Sequence, residues 1–191
     1  WTRKLAADAE QAVPQAGEIL PVTGGAIHYT DAGPRDGQPL VLIHGLAGNM
    51  HNFTYALVEQ LSSEFRVITI DRPGSGYSTR TDDALAELPA QADMISEFLA
   101  KLGVEKPVLN DLHGVTASMP AQQARYAAEI DVPGGILFGA DDRLLSPDLH
   151  GASMQAHGLV YETLPGRGHM ILATAPEECA DFIRRMARLA V

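Results

Sequence analysis

An α/β fold is predicted, with a mostly parallel sheet flanked by helices and an antiparallel hairpin at its N-terminal edge. Three observations carry that prediction. Gly24-Gly25 joins two short runs, Glu18 to Thr23 and Ala26 to Asp31, and a two-glycine connection is a hairpin signal. Pro39 to His44, Arg66 to Ile70 and Gly134 to Phe138 are near-continuous apolar runs, as expected of strands covered on both faces. Between these runs lie segments of helical periodicity, and strands alternating with helices imply parallel pairing.

Taken in order, residues 1–17 read as a short polar helix and linker, and 18–191 as a single domain. After the hairpin, Ala32 to Gln38 is a loop holding Pro34. Asn52 to Phe65 is predicted helical, because Phe53, Ala56, Leu57 and Leu61 form one stripe. Asp83 to Leu102 is predicted helical, with Leu85, Met94, Ile95, Phe98, Leu99 and Leu102 apolar and Gly103 as its stop. Val104 to Leu109 begins another strand. Thr116 to Ile130 and Pro147 to His157 read as helices, Leu159 to Leu164 as a strand, and Pro176 to Leu189 as a closing helix with proline at a favourable early position.

A chain of 191 residues with 46% hydrophobic content can build one domain with a real core. Its 24 acidic residues outnumber its 14 basic ones, for a net charge of −10. That argues against a nucleic-acid surface, which needs clustered Lys and Arg. Cys179 is the only cysteine. An internal disulfide is therefore excluded, and no zinc site rests on one Cys and seven scattered His. A lone Cys fits the cytosol without excluding the periplasm. Trp1-Thr2-Arg3-Lys4 is the kind of flank that follows a membrane anchor. An anchor upstream of Trp1 is one expectation, and a boundary without such a neighbour is the other.

In open α/β sheets functional groups gather at the carboxyl ends of the strands, and four loops stand there. The first is His44-Gly45-Leu46-Ala47-Gly48, after an apolar strand. The second is Asp71-Arg72-Pro73-Gly74-Ser75-Gly76-Tyr77-Ser78, whose glycines allow a compact turn. The third follows Gly135 to Phe138 and holds Gly139, Asp141 and Asp142. Aspartates there cap helices and make turns as a matter of course, so the downstream histidine decides their reading. That histidine is His169, in the fourth loop, Gly166-Arg167-Gly168-His169-Met170, 27 residues after Asp142.

Together these segments resemble the oxyanion, acid and base loops of the α/β-hydrolase family, in particular its serine esterases and lipases. The resemblance runs over about residues 18–190. It implies that Asp142 is the acid (with Asp141 as the fallback) and that His169 is the base. It implies that the Leu46 backbone N–H stabilises an oxyanion, with His44 and Gly45 shaping the loop. It implies a small-molecule, ester-like substrate, no metal and no organic cofactor.

Family chain order is nucleophile, acid, histidine, and no nucleophile is identified. No Gly-x-Ser-x-Gly occurs anywhere in the chain. Ser75 is flanked two positions away by Pro73 and Tyr77, and Ser78 by Gly76 and Arg80, so neither fits a strained elbow. Where the elbow should follow the strand, the chain reads Val108-Leu109-Asn110-Asp111-Leu112-His113-Gly114. By resemblance, roughly 80–100 residues holding the elbow, a strand and a lid are absent between Asn110 and Asp111. Losing a central strand would uncover a strip of the sheet, and each uncovered Leu or Ile forfeits about 1.5–3 kcal/mol. Asp111 remains as an aspartate nucleophile of the epoxide-hydrolase and haloalkane-dehalogenase kind, though Leu109 and His113 are bulky neighbours for an elbow. A catalytically inactive, hydrolase-fold binding protein is the other alternative.

Overall fold

The computed structural model describes residues 12–45, 47–111, 133–145, 147, 148, 151, 155 and 158–189. Two short strands open it, β1 (Glu18–Val22) and β2 (Gly25–Ala32), paired antiparallel with Val22 opposite Gly25. They are followed by β3 (Gln38–Ile43), helices α1 (His51–Thr54) and α2 (Leu57–Leu61), and β4 (Phe65–Ile70). Next come β5 (Thr79–Arg80), a 3-10 turn (Asp83–Ala86), α3 (Leu88–Lys101) and β6 (Val108–Asp111). The chain closes with β7 (Gly135–Gly139), β8 (Val160–Leu164), α4 (Ile171–Thr174) and α5 (Pro176–Leu189).

The main sheet runs β1-β2-β4-β3-β6, with β5 also on β2. Pairing is antiparallel at the hairpin edge and parallel where β3 lies between β4 and β6. β7 and β8 form a separate parallel pair. The register aligns Ile43 with Ile70 on one side and with Asp111 on the other. The loops that begin at His44 and Asp71 therefore leave the sheet side by side.

Alternation along the central strands builds two cores. Leu40, Leu42, Phe65 and Val67 point to one face, where they meet Phe53, Leu57 and Leu61 of α1 and α2. Val41, Ile68 and Ile70 point to the other, against Met94, Phe98 and Leu99 of α3. Helices on both faces explain why these strands are largely apolar and why β4 is buried at all six residues, Arg66 and Thr69 included. The first core also takes in Ile171, Cys179, Ala180, Ile183 and Ala187, with Leu137 of β7 and Leu164 of β8 packed against it. α5 is thus the element through which the β7–β8 pair joins the main sheet. Its adjacent arginines divide the task. Arg184 donates to Glu64 (2.7 Å) and the Gln60 carbonyl (2.8 Å), while Arg185 forks onto Glu162 of β8 (2.5 and 2.7 Å).

Several expectations need correction. The helix expected over residues 52–65 is two short helices, broken at Ala56 (φ −149°), and Phe65 already belongs to β4. The helix expected over 83–102 is a 3-10 turn followed by α3. Glu87 is extended (ψ 141°), and Pro89 starts α3 in its first turn, where a missing N–H costs nothing. The strand expected from Val104 begins four residues later, because Val104 still packs with α3 and Lys106 turns through φ 47°. That strand also runs on through Asp111, one residue past the expected junction. Leu109 on it is 59% exposed. All but Ala12 of the helix expected over 1–12, the whole of that over 116–130 and most of that over 147–157 lie outside the described residues. No described helix is long and apolar enough to cross a membrane.

If α5 joins the two strand sets, cutting a hole beneath it should weaken the whole domain. Ile183→Ala is expected to cost about 2–4 kcal/mol, read as a lower urea midpoint at unchanged slope. A loss under about 0.5 kcal/mol would show that α5 does not belong to the cooperative unit.

Candidate active site

The loops after β7 and β8 are stitched together by backbone. Ala140 N–H donates to the Leu164 carbonyl (2.9 Å) and Asp141 N–H to the Arg167 carbonyl (2.8 Å). This holds residues 140–142 against residues 166–169. The approach is so close that a Cβ on Gly139 would lie 2.3 Å from the carbonyl oxygens of both Arg167 and Gly168. Only glycine fits there. Gly166 and Gly168, which the sequence suggests make room for the histidine, face open space or nearly so.

Within this frame His169 Nδ1–H donates to Asp142 Oδ2 at 2.9 Å. Asp142 is buried (7% exposed), whereas the His169 side chain is 37% exposed. The second carboxylate oxygen, Oδ1, accepts from the N–H groups of Leu144 (2.8 Å) and Leu145 (2.9 Å). Burial alone would push the Asp142 carboxyl up. The Leu145 N–H, the His169 ring and the Leu144 N–H outweigh it and hold the group below the ordinary aspartate range. A carboxylate so held fixes the imidazole tautomer and leaves Nε2 facing outward, without a hydrogen-bond partner among the described residues. Asp141, the fallback acid, is exposed and engaged through its backbone.

The His44 loop lies at the end of β3. His44 is fully buried, its Nδ1–H donates to the Gly45 carbonyl (2.8 Å), and its Nε2 accepts from the Arg72 N–H (2.9 Å). Leu46 lies outside the described residues. Its neighbour Ala47 stands at φ 58°, a left-handed conformation uncommon for a residue with a side chain. α1, which follows this loop, packs against α4, which follows His169. The two loops therefore face the same end of the molecule.

The Ser78 hydroxyl is engaged on both sides, and Ser75 is engaged through its backbone. Ser75 N–H closes a turn onto Arg72, and buried Ser78 donates to the Asp71 carbonyl (2.7 Å) while accepting from His28 N–H (2.8 Å). Asp111 ends β6 opposite Ile43, one strand away from His44. Sequence reasoning missed the buried His28–Asp71 pair (2.7 Å). The available signal was a histidine between Ile27 and Tyr29 in β2.

Residues 38–110 match the family model described as alpha/beta hydrolase fold. The chain is 32% identical over 97 residues to a cis-3-alkyl-4-alkyloxetan-2-one decarboxylase of Xanthomonas campestris pv. campestris, a match covering 47% of this chain and 32% of that protein. The match thus spans about a third of that relative's length. Among solved structures, it resembles a membrane phospholipase A described as a bacterial virulence factor (TM-score 0.78, 17% identity, 97% of this chain and 91% of that one). It also resembles a thermophilic esterase from Thermogutta terrifontis (TM-score 0.76, 17% identity, 92% of this chain and 100% of that one). With this strand order and these structural matches, the chain has the α/β-hydrolase fold.

Two outcomes test the site's construction. Gly139→Ala is expected to cost about 1–3 kcal/mol and to abolish the downfield Nδ1 proton resonance of His169. A variant that keeps that resonance would mean the loops can part without harm. The second concerns pH. A carboxyl held low in the fold stabilises it above the unfolded aspartate range, near pH 4, and that contribution is lost as pH falls through the lower folded value. Thermal scans should show stability falling below about pH 4, and Asp142→Asn should flatten that limb.

Proposed function

We propose that the protein hydrolyses carboxylic esters or related acyl compounds, with His169 as general base and Asp142 as its orienting acid. The supporting observation is an outward-facing imidazole whose Nδ1–H is fixed on a buried, N–H-stabilised carboxylate. In this reading the nucleophile is a serine from an elbow that this chain does not contain, placed after β6. The serine oxygen attacks the ester carbonyl and His169 Nε2 takes its proton. The Leu46 N–H stabilises the oxyanion. His169 then passes the proton to the departing alkoxide, and water, deprotonated by the same ring, releases the acid. Relatives named as esterase and phospholipase fit this class. The substrate is a small ester-like molecule.

One observation favours a second reading. β6 continues through Asp111, which puts a carboxylate-bearing residue at the strand end where functional groups gather. Asp111 would then attack an epoxide or alkyl halide carbon, displacing alkoxide or halide and forming an ester that His169-activated water cleaves.

A fluorophosphonate probe separates the readings. The serine reading expects a covalent label on a polypeptide that carries the elbow, formed about a thousandfold more slowly in His169→Ala, and none on these residues alone. An alkyl adduct on Asp111, lost in Asp111→Asn, would decide for the aspartate. A folded protein that forms neither adduct counts against both enzymatic readings.

A further inference from the structure

The His44 loop is held by groups that the sequence motifs do not explain. Gly48 N–H donates to the Gly45 carbonyl (3.2 Å), closing a turn that includes Ala47. Ala47 stands at φ 58° in this turn, a conformation that persists only where the surroundings over-determine it. The over-determination is visible at both ends of the loop. At its entry, Arg72 N–H donates to His44 Nε2 (2.9 Å). At its exit, Met50 N–H donates to Asp71 Oδ1 (2.9 Å). Both ties come from one dipeptide at the end of β4.

Asp71 is itself fixed from two further directions. Its Oδ2 accepts from the Tyr77 N–H (3.0 Å) and from His28 Nδ1–H (2.7 Å). No side chain could stand at position 76, because a Cβ there would lie 2.1 Å from Oδ2. The other ring nitrogen of His28, Nε2, faces the Ala16 carbonyl at 2.5 Å. A carbonyl can only accept, so Nε2 carries a proton. The Met50 and Tyr77 N–H groups both donate to the Asp71 carboxyl group and so favour its charged form over the acid, with the shared proton on Nδ1. Both nitrogens of this fully buried ring are then donors. A buried ion pair is favoured when its other polar atoms are satisfied, and here both ring nitrogens of His28 and both carboxylate oxygens of Asp71 have a partner.

We propose that Asp71 is the positioning residue of the His44–Met50 loop, and that a doubly protonated His28 holds its carboxylate in place. The importance of this clamp for catalysis rests on the reading of that loop as the oxyanion donor, whereas the clamp itself stands without that reading. His28 and Asp71 touch no reacting atom. They act through the Met50 N–H and, by way of the adjoining Arg72 N–H, through His44.

Nitrogen-15 NMR of the whole chain at neutral pH is the test. Long-range ring spectra are expected to show protons on both nitrogens of His28. In Asp71→Asn, the amides of Met50 and Tyr77 are expected to exchange about tenfold faster, as after loss of a charge-assisted hydrogen bond. Amides of β7 and β8 should stay unchanged. A bare ring nitrogen on His28, or unchanged Met50 exchange in folded Asp71→Asn, overturns the proposal. Should Asp71→Asn not fold, His28→Gln is read in the same way, since it keeps the carboxylate and removes its cationic partner. With an ester that the wild-type protein turns over, Asp71→Asn should lower kcat while leaving KM nearly unchanged, and an unaltered kcat overturns the positioning role. If the wild-type protein turns over no ester, the hydrolase reading fails, and the exchange data still decide the clamp.

Discussion

The structure depends on one apolar layer, packed between the main sheet and α5. Leu40, Leu42 and Val67 form its floor, while Cys179, Ala180, Ile183 and Ala187 close it from above. Leu137 and Leu164 reach the same layer from the β7–β8 pair. No strand pairing among the described residues connects that pair to the main sheet. Side-chain packing therefore does what backbone ladders do elsewhere in the fold, and it does so without fixed hydrogen-bond register. The burial of these residues is the dominant favourable term, and the Arg184 and Arg185 contacts, being near the surface, add orientation more than stability.

The consequence for the site is geometric. Asp142 and His169 both belong to the β7–β8 unit, so their pairing is internal to it and protected by local backbone bonds. The His44 loop belongs to the main sheet. What sets one against the other is the contact of α1 with α4 across the shared core. Any chemistry that uses both loops inherits its precision from that packing.

Local conformation shows where the fold accepts cost. Ala47 is left-handed without being glycine, whereas Gly139 and Gly76 occupy places where any side chain would collide with backbone or carboxylate. All three adjoin the groups that face the open ends of the strands. Close backbone approach there leaves less room for substitution than in the helices, where exposed faces tolerate change.

Much of this was legible in the residues themselves. The hairpin, the buried strands and α5 followed from glycine placement and from apolar periodicity, because local patterning decides element type. The pairing of Asp142 with His169 was legible as two loops of recognisable composition. Less legible were the break at Ala56, the extended Glu87 and the late start of β6. In each case the apolar pattern runs on while the backbone turns, since turns depend on what the chain must reach next. The sequence by itself determined which residues are buried and which loops carry titratable groups. Only the tertiary structure decided that Gly139 is the tight glycine and that His28 pairs with Asp71. Those outcomes turn on contacts between segments far apart in the chain, and the free energy of such contacts depends on ångström-scale distances that spacing along the sequence does not encode.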